Sequence, residues 1–166
     1  MRSTMARHAQ NQRGRGALYT AEQRARRDGS VWTLVQGILA PLQFLVFLIS
    51  LTLVLRYLAT GEGYALATAS IVIKTGVLYL IMITGAIWEK VVFGQYLFAP
   101  AFFWEDVFSF GVIALHSAYL WALWSGALGP EGLIGLALAA YTAYAINAAQ
   151  FLWKLRMARL QAGETA

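Results

Sequence analysis

The chain reads as an all-α integral membrane protein, a bundle of four transmembrane helices with both termini on the cytoplasmic side. Three observations predict this. Hydrophobic residues make up 59% of the 166 positions and charged residues only 13%, too few to cover a water-soluble globule of this size. Four apolar runs each reach the ~20 residues that a helix needs to cross the hydrocarbon core. The charges are segregated: Arg2, Arg7, Arg13, Arg15, Arg24, Arg26 and Arg27 precede Val31, and Lys154, Arg156 and Arg159 follow the last apolar run.

Residues 1–17, built largely from Arg, Gln, Gly, His and Asn, read as a disordered basic arm. Residues 18–30 hold a short interfacial helix. Thr20 is the candidate N-cap and Gln23 stands at N3, the spacing of a capping box, with the helix ending at about Asp28. The membrane domain occupies residues 31–157, with spans at about 32–58, 64–87, 103–125 and 133–153, and residues 158–166 form a cytoplasmic tail. Pro41 inside the first span predicts a kink or a tilt. No cleavable signal peptide is expected, because the opening ~30 residues are polar and the first apolar run is too long for an h-region.

Charge sets the expected orientation. Thr60–Gly63 and Gly126–Gly132 are short turns with one acid each and no Lys or Arg. The opposite side carries the N-terminal arm, Lys90 and the basic C-terminus, so both termini and the Trp88–Asp106 segment are expected to be cytoplasmic. Trp32, Trp88, Trp104 and Trp153 fall at the same ends, as an aromatic belt requires. The net charge of +5 is mostly a property of the chain ends. It points to membrane topology and anionic lipid headgroups, and no nucleic-acid-binding pattern accompanies it.

The segment joining spans two and three, WEKVVFGQYLFAPAFFWED (Trp88–Asp106), is too apolar for a simple loop. It reads as a re-entrant or interfacial aromatic segment, and it holds Glu89, Glu105 and Asp106, three of the chain's eight acids. Carboxylates beside aromatic surface at the mouth of a bundle suit a large, flat, apolar ligand. Deeper in the membrane, Lys74 lies ~15 Å and His116 ~18 Å from opposite ends of their spans, near the midplane. Gln43 and Tyr141 share that depth. Glu105, Ser109, Val112 and His116 follow helical spacing on one face; Gln36, Gln43 and Ser50 form a second stripe, and Tyr141, Tyr144, Asn147 and Gln150 a third. Such stripes face the bundle interior, since lipid offers no hydrogen-bond partner. Taken singly, each is more often interhelical adhesion than a site. Charges such as Glu89, Lys90, Glu105 and Asp106 are equally at home as interfacial anchors, whereas Lys74 is too deep to snorkel easily.

Several chemistries are excluded. Cysteine is absent, which removes disulfides, thiolate catalysis, iron–sulfur clusters and Cys-ligated zinc. One intramembrane His cannot make a bis-His haem site. There is no HExxH, GxSxG or P-loop pattern, and the first span has no deep acid of the kind that small four-helix exporters use. What remains is acid chemistry on a planar lipophilic molecule. A carboxyl against aromatic surface loses hydration, which favours its protonated, donating form. The adjacent Glu105 and Asp106 project ~100° apart on a helix and suit the division of labour between proton donor and water-holder.

Five stretches carry a family resemblance: LYTAEQRARRD (Leu18–Asp28), WTLVQGILAPLQF (Trp32–Phe44), LVLRYLATGEGYALAT (Leu53–Thr68), TGAIWEKVVFGQYLFAPAFFWED (Thr84–Asp106) and LHSAYL (Leu115–Leu120). They closely resemble the vinyl bacteriochlorophyllide hydratases of photosynthetic bacteria, over roughly residues 18–157, with WEKVVFG and FFWED as the specific blocks. The resemblance implies a hydro-lyase that adds water across the C3-vinyl group of chlorophyllide a, or of a related bacteriochlorophyllide precursor, to give a 1-hydroxyethyl group. It implies no required cofactor, magnesium carried by the substrate macrocycle, and a multi-pass place in the bacterial inner, intracytoplasmic photosynthetic membrane. Expected partners are the tetrapyrrole and membrane lipid, with a homo-oligomer or a complex with other pigment-biosynthesis enzymes as further candidates. Applied to these residues, the chemistry makes Glu105 or Asp106 the candidate proton donor and Glu89 the opposing carboxylate. His116 becomes a candidate axial ligand to the substrate's magnesium or a proton relay. Trp88, Phe102, Phe103 and Trp104 become candidate aromatic walls, and Lys90 or the Arg24, Arg26 and Arg27 cluster receives the propionate. A non-catalytic tetrapyrrole-binding or assembly subunit and a small transporter are the rival readings.

Overall fold

The computed structural model describes residues 18–163, so the arm expected at residues 1–17 lies outside the described residues. Among them are five α-helices and no strand: α1 (Ala21–Asp28), α2 (Val31–Thr60), α3 (Tyr64–Phe93), α4 (Phe103–Ser125) and α5 (Pro130–Gly163). The last four are long and apolar enough to cross a membrane. Their outward side chains, among them Leu34, Ile38, Ile73, Ile83, Trp121 and Trp124, are exposed hydrophobics that water would not tolerate in such number. This is a multi-pass membrane protein.

Local chemistry sets the ends of the helices. Thr20 and Gln23 close a reciprocal capping box at the start of α1, the side chain of each accepting from the backbone N–H of the other. Only Gly29 and Ser30 separate α1 from α2. Ser30 caps α2 by accepting from the Trp32 N–H, and the Thr33 hydroxyl donates back across the break to the Arg27 carbonyl at 2.6 Å. The α2–α3 turn depends on two glycines in the left-handed region, Gly61 (φ 72°) and Gly63 (φ 85°), where a side chain would be strained. Pro130 opens α5 at a position that needs no backbone donor.

Helices α2 and α3 each have 30 residues, so each is ~45 Å long and exceeds the ~30 Å hydrocarbon core. The overhang bears on the central segment. Helix α3 runs on through Trp88–Phe93, and only residues 94–102 form the link to α4.

The bundle is made of two antiparallel hairpins, α2 with α3 and α4 with α5, and α1 lies against α3. Between the hairpins the backbones stay further apart, and side chains bridge the gap. Phe47 of α2 packs against Tyr141 and Tyr144 of α5, with ring centroids 5.4 and 4.8 Å apart. Ser50 meets Tyr141, and Tyr79 of α3 meets Ser117 of α4 at 2.6 Å. Buried small residues, Ala67, Ala122, Ala137 and Ala140, permit close approach where the helices do touch. Truncating the bridging ring, Phe47→Ala, is expected to lower stability by about 3 kcal/mol, read as a shift in the unfolding midpoint in detergent micelles.

Candidate active site

Polar side chains occupy the bundle interior in three layers, which descend from the end bearing the 94–102 link. The outermost layer contains the three acids. Glu89 sits near the end of α3, and Glu105 and Asp106 sit in the first turn of α4; all three are buried. The link brings α3 and α4 together so that the Glu89 and Asp106 carboxyls face one another closely enough to share a proton. A bond between two carboxyls needs a proton on one of them, because an ionised carboxylate only accepts. The backbone of the link completes the arrangement: the Phe98 N–H donates to Asp106 Oδ2 at 2.7 Å and the Ala99 N–H to Glu89 Oε2 at 3.3 Å. Phe98 has φ 59°, the one non-glycine positive φ among the described residues. A ring-bearing residue adopts that conformation at a cost of roughly 1–3 kcal/mol. Here it turns two consecutive N–H groups toward the acids.

Glu105 is placed differently from its neighbour. Lys154 of α5 reaches it at 2.6 Å and also donates to the Ala101 carbonyl, while lying 5.2 Å from the centre of the Phe102 ring. Glu105 is therefore committed to a cation, and the acid pair is Glu89 with Asp106. Sequence reading passed over Lys154 as a tail charge. The signal was present, because Asn147, Gln150 and Lys154 continue the α5 stripe at i, i+3 and i+7.

The expected aromatic walls separate into two groups. Trp88 and Phe102 turn inward into a cluster with Tyr19, Phe93 and Phe151, and the Trp88 indole donates to Thr33 Oγ1 at 2.9 Å. Tyr19 stacks on Phe93, which fixes α1 to the link end, and the Arg27 guanidinium lies 4.7 Å over its ring. Burial pushes the Tyr19 phenol above its ordinary value, against the pull of Arg27. Phe103 and Trp104 turn outward, and Trp104 is 66% exposed. Phe103 joins Phe98 and Phe110 in an exposed aromatic face in which Phe98 and Phe110 are stacked 5.5 Å apart. Lys90 is exposed, donates to the Gly94 carbonyl at 2.8 Å and lies over Tyr96. Arg26 faces Glu22, and Arg27 pairs with Asp28.

In the middle layer, Asn147 donates to Ser109 Oγ at 2.8 Å. Gln43 of α2 is buried at about the same level, with neither amide atom hydrogen-bonded. The innermost layer joins two residues that sequence reading placed at one depth without connecting them. Lys74 and His116, both 0% exposed, meet at 2.7 Å. His116 Nδ1 lies 2.7 Å from the Val112 carbonyl, which can only accept, so Nδ1 carries the hydrogen and Nε2 accepts from Lys74. Both ring nitrogens are engaged and the ring is sealed from the surface, so neither is free to ligate a metal. Tyr144 lies 4.2 Å from the Lys74 amine and Tyr141 5.2 Å, as a cage of π faces.

Fold and site together define a small multi-pass membrane protein with a buried carboxyl pair set behind an exposed aromatic face, which equips it for acid chemistry on an apolar molecule. The chain belongs to the 2-vinyl bacteriochlorophyllide hydratase family, whose model matches residues 19–157. It is 81% identical over 144 residues to the 2-vinyl bacteriochlorophyllide hydratase of Cereibacter sphaeroides, a match covering 86% of this chain and 89% of the relative. It is 73% identical over 149 residues to the protein of the same name from Rhodobacter capsulatus, covering 89% and 86%. No solved structure matches the chain.

The inner pair makes an asymmetric prediction. Removing one partner strands a buried polar group, so Lys74→Met or His116→Leu alone is expected to cost roughly 1–3 kcal/mol, with the larger loss where the amine is left alone. The double variant is expected to recover part of that loss, and thermal unfolding of all three proteins in one detergent checks it.

Proposed function

We propose that this hydratase adds water across the vinyl group of chlorophyllide a, or of a closely related bacteriochlorophyllide precursor, with Glu89 and Asp106 as its acid pair. The substituent is the 2-vinyl group of the relatives' names, carried on C3 of the chlorophyllide ring. One observation carries the assignment: two buried, neighbouring carboxyls from different helices accept from consecutive N–H groups of the Phe98–Ala99 turn, next to exposed aromatic surface.

The macrocycle is too broad for the closed bundle interior, so it lies against the face formed by Phe98, Phe103 and Phe110. Only the two-carbon vinyl arm reaches inward. The protonated member of the pair gives its proton to the terminal vinyl carbon. Positive charge then develops on the carbon attached to the ring and spreads into the macrocycle. The second carboxylate supplies negative field to that cation and takes a proton from the attacking water, which forms the carbon–oxygen bond. One water is consumed, no electrons leave or enter, and the pair ends with the proton count it began with. The magnesium arrives with the substrate, and the hydration needs no redox cofactor.

Glu105 holds Lys154 and through it the Ala101 carbonyl, so its part is to fix the link over the pair. His116 stays with Lys74, and the proposal gives it no contact with magnesium. The positive-inside pattern puts the link end at the cytoplasmic face of the photosynthetic membrane, where Lys90 and the Arg24, Arg26 and Arg27 cluster stand near the surface to meet a propionate.

The test uses membranes containing only this chain, chlorophyllide a and ¹⁸O-labelled water. Labelled 1-hydroxyethyl product is expected. Asp106→Asn and Glu89→Gln are each expected to lower turnover by about 10²- to 10⁴-fold with pigment binding retained, and Glu105→Gln by less. Full turnover in both Asp106→Asn and Glu89→Gln would falsify the acid pair. Tight binding by the unaltered protein without product would mark a pigment carrier instead.

A further inference from the structure

The middle layer is chemically incomplete. Gln43 of α2 is 2% exposed, and both its Oε1 and its Nε2 are without a hydrogen-bond partner. Asn147 of α5 is 8% exposed; its amide nitrogen is used on Ser109 but its Oδ1 is unpartnered, as is Gln150 Oε1 one turn further along. The tilted ring contact of Phe47 with Tyr144, centroids 4.8 Å apart, fixes the register of α2 against α5. Gln43 is one turn from Phe47, and Asn147 is one turn from Tyr144 in the opposite chain sense, so the two amides stand at one level. Leaving a single buried amide group unpaired costs roughly 1–3 kcal/mol; this layer has three such atoms, and Gln150 Oε1 adds a fourth one turn outward.

The donor and acceptor pattern identifies the occupant. Three of the four atoms are carbonyl oxygens that need a donor, and Gln43 Nε2 needs an acceptor. A carbonyl ligand would serve only the nitrogen, and a cation would serve only the oxygens. Water does both, and a buried water commonly makes about three hydrogen bonds to such groups. We infer that Gln43, Asn147 and Gln150 hold bound water inside the bundle, and that this is the water added to the substrate.

The second half of the inference rests on the hydratase reading and on position. Ser109, which receives the Asn147 bond, lies on α4 one turn inward from Glu105 and three residues from Asp106. Water held at this level is about one turn, ~5.4 Å along the axis, from the acid pair. The cation is coplanar with the macrocycle that delocalises it, so its two faces are those of the ring, and water from the interior reaches only the protein-facing one. Delivery from a fixed site therefore gives a single configuration at the new alcohol carbon.

Two measurements on the full chain in native-like membranes test this. Infrared spectra in H₂¹⁸O against H₂¹⁶O read internal water as an isotope-shifted O–H band, independently of activity. Gln43→Leu is close in size and is expected to lose that band, to lower kcat roughly ten- to hundredfold with pigment affinity unchanged, and to give both configurations of the alcohol. Gln43→Glu keeps oxygen acceptors at the site and is expected to retain the band and most of the stereochemical preference. Asn147→Leu repeats the first experiment from the facing helix, should Gln43→Leu fold poorly. A Gln43→Leu protein that keeps the band, the rate and the single configuration overturns the inference and leaves Gln43 as packing. A band lost in Gln43→Leu, with no hydration by the unaltered protein, upholds the water site and overturns the hydratase reading.

Discussion

At the centre of the bundle the Lys74 amine donates to His116 while Tyr141 and Tyr144 present ring faces to it. Hydrocarbon offers no alternative partner, so a lysine at this depth must be answered from within the protein. The answer comes from the other hairpin, and it sets the depth of α3 against α4. The Tyr79–Ser117 bond lies beside it. From Tyr79 to Glu89 is ten residues along α3, and from Ser117 back to Asp106 is eleven along α4, so both rise by ~15 Å and bring the two acids level. Lys74 itself starts lower on α3 than this register, and its long stem spans the difference. The meeting of carboxyls at the link end thus depends on polar contacts made in the middle of the membrane.

The link between α3 and α4 shows a second constraint. Nine residues could join the helices in many ways, but these turn Phe98 to a positive φ and direct two adjacent N–H groups at two acids. Lys154 holds the far end of the link through Ala101 and Glu105, and the cluster of Tyr19, Phe93 and Phe102 supports it from beneath. Strain in one residue is balanced by contacts from α1, α3, α4 and α5. Irregular backbone packed among apolar side chains must have its polar groups covered, and here the acids cover two of them.

Most of the fold was legible in the sequence. Apolar run length and charge segregation located the four long helices, Thr20 and Gln23 announced the start of α1, and helical spacing named stripes that are buried in the structure. Pairing across helices was not legible. Periodicity gives the face a residue occupies but not the relative heights of two helices, so Glu105 and Asp106 looked equivalent until Lys154 distinguished them. The aromatics of the central segment failed for the same reason. Composition marked them as one surface, whereas the turn from link into helix sends Phe102, the last link residue, into the core and Phe103 and Trp104 of the first α4 turn outward. The left-handed Phe98 had no local signal, since Leu97, Phe98 and Ala99 carry no turn preference. It is imposed by the acids it serves.

The thin seam between the hairpins has a consequence for how the protein is made. Helices α2 and α3 pack closely and can enter the bilayer as a unit, but Lys74 then faces the space that α4 will fill. His116 lies 42 residues downstream. At roughly 5–20 residues per second of synthesis, the amine waits several seconds in the membrane before its partner has been built. During that interval the first hairpin is an incomplete solute with a polar flank, dependent on lipid headgroups, water or the insertion machinery for cover. Arrival of α4 and α5 removes that exposure and assembles the carboxyl pair in the same event, so a chain that has matured its membrane fold has also matured its site.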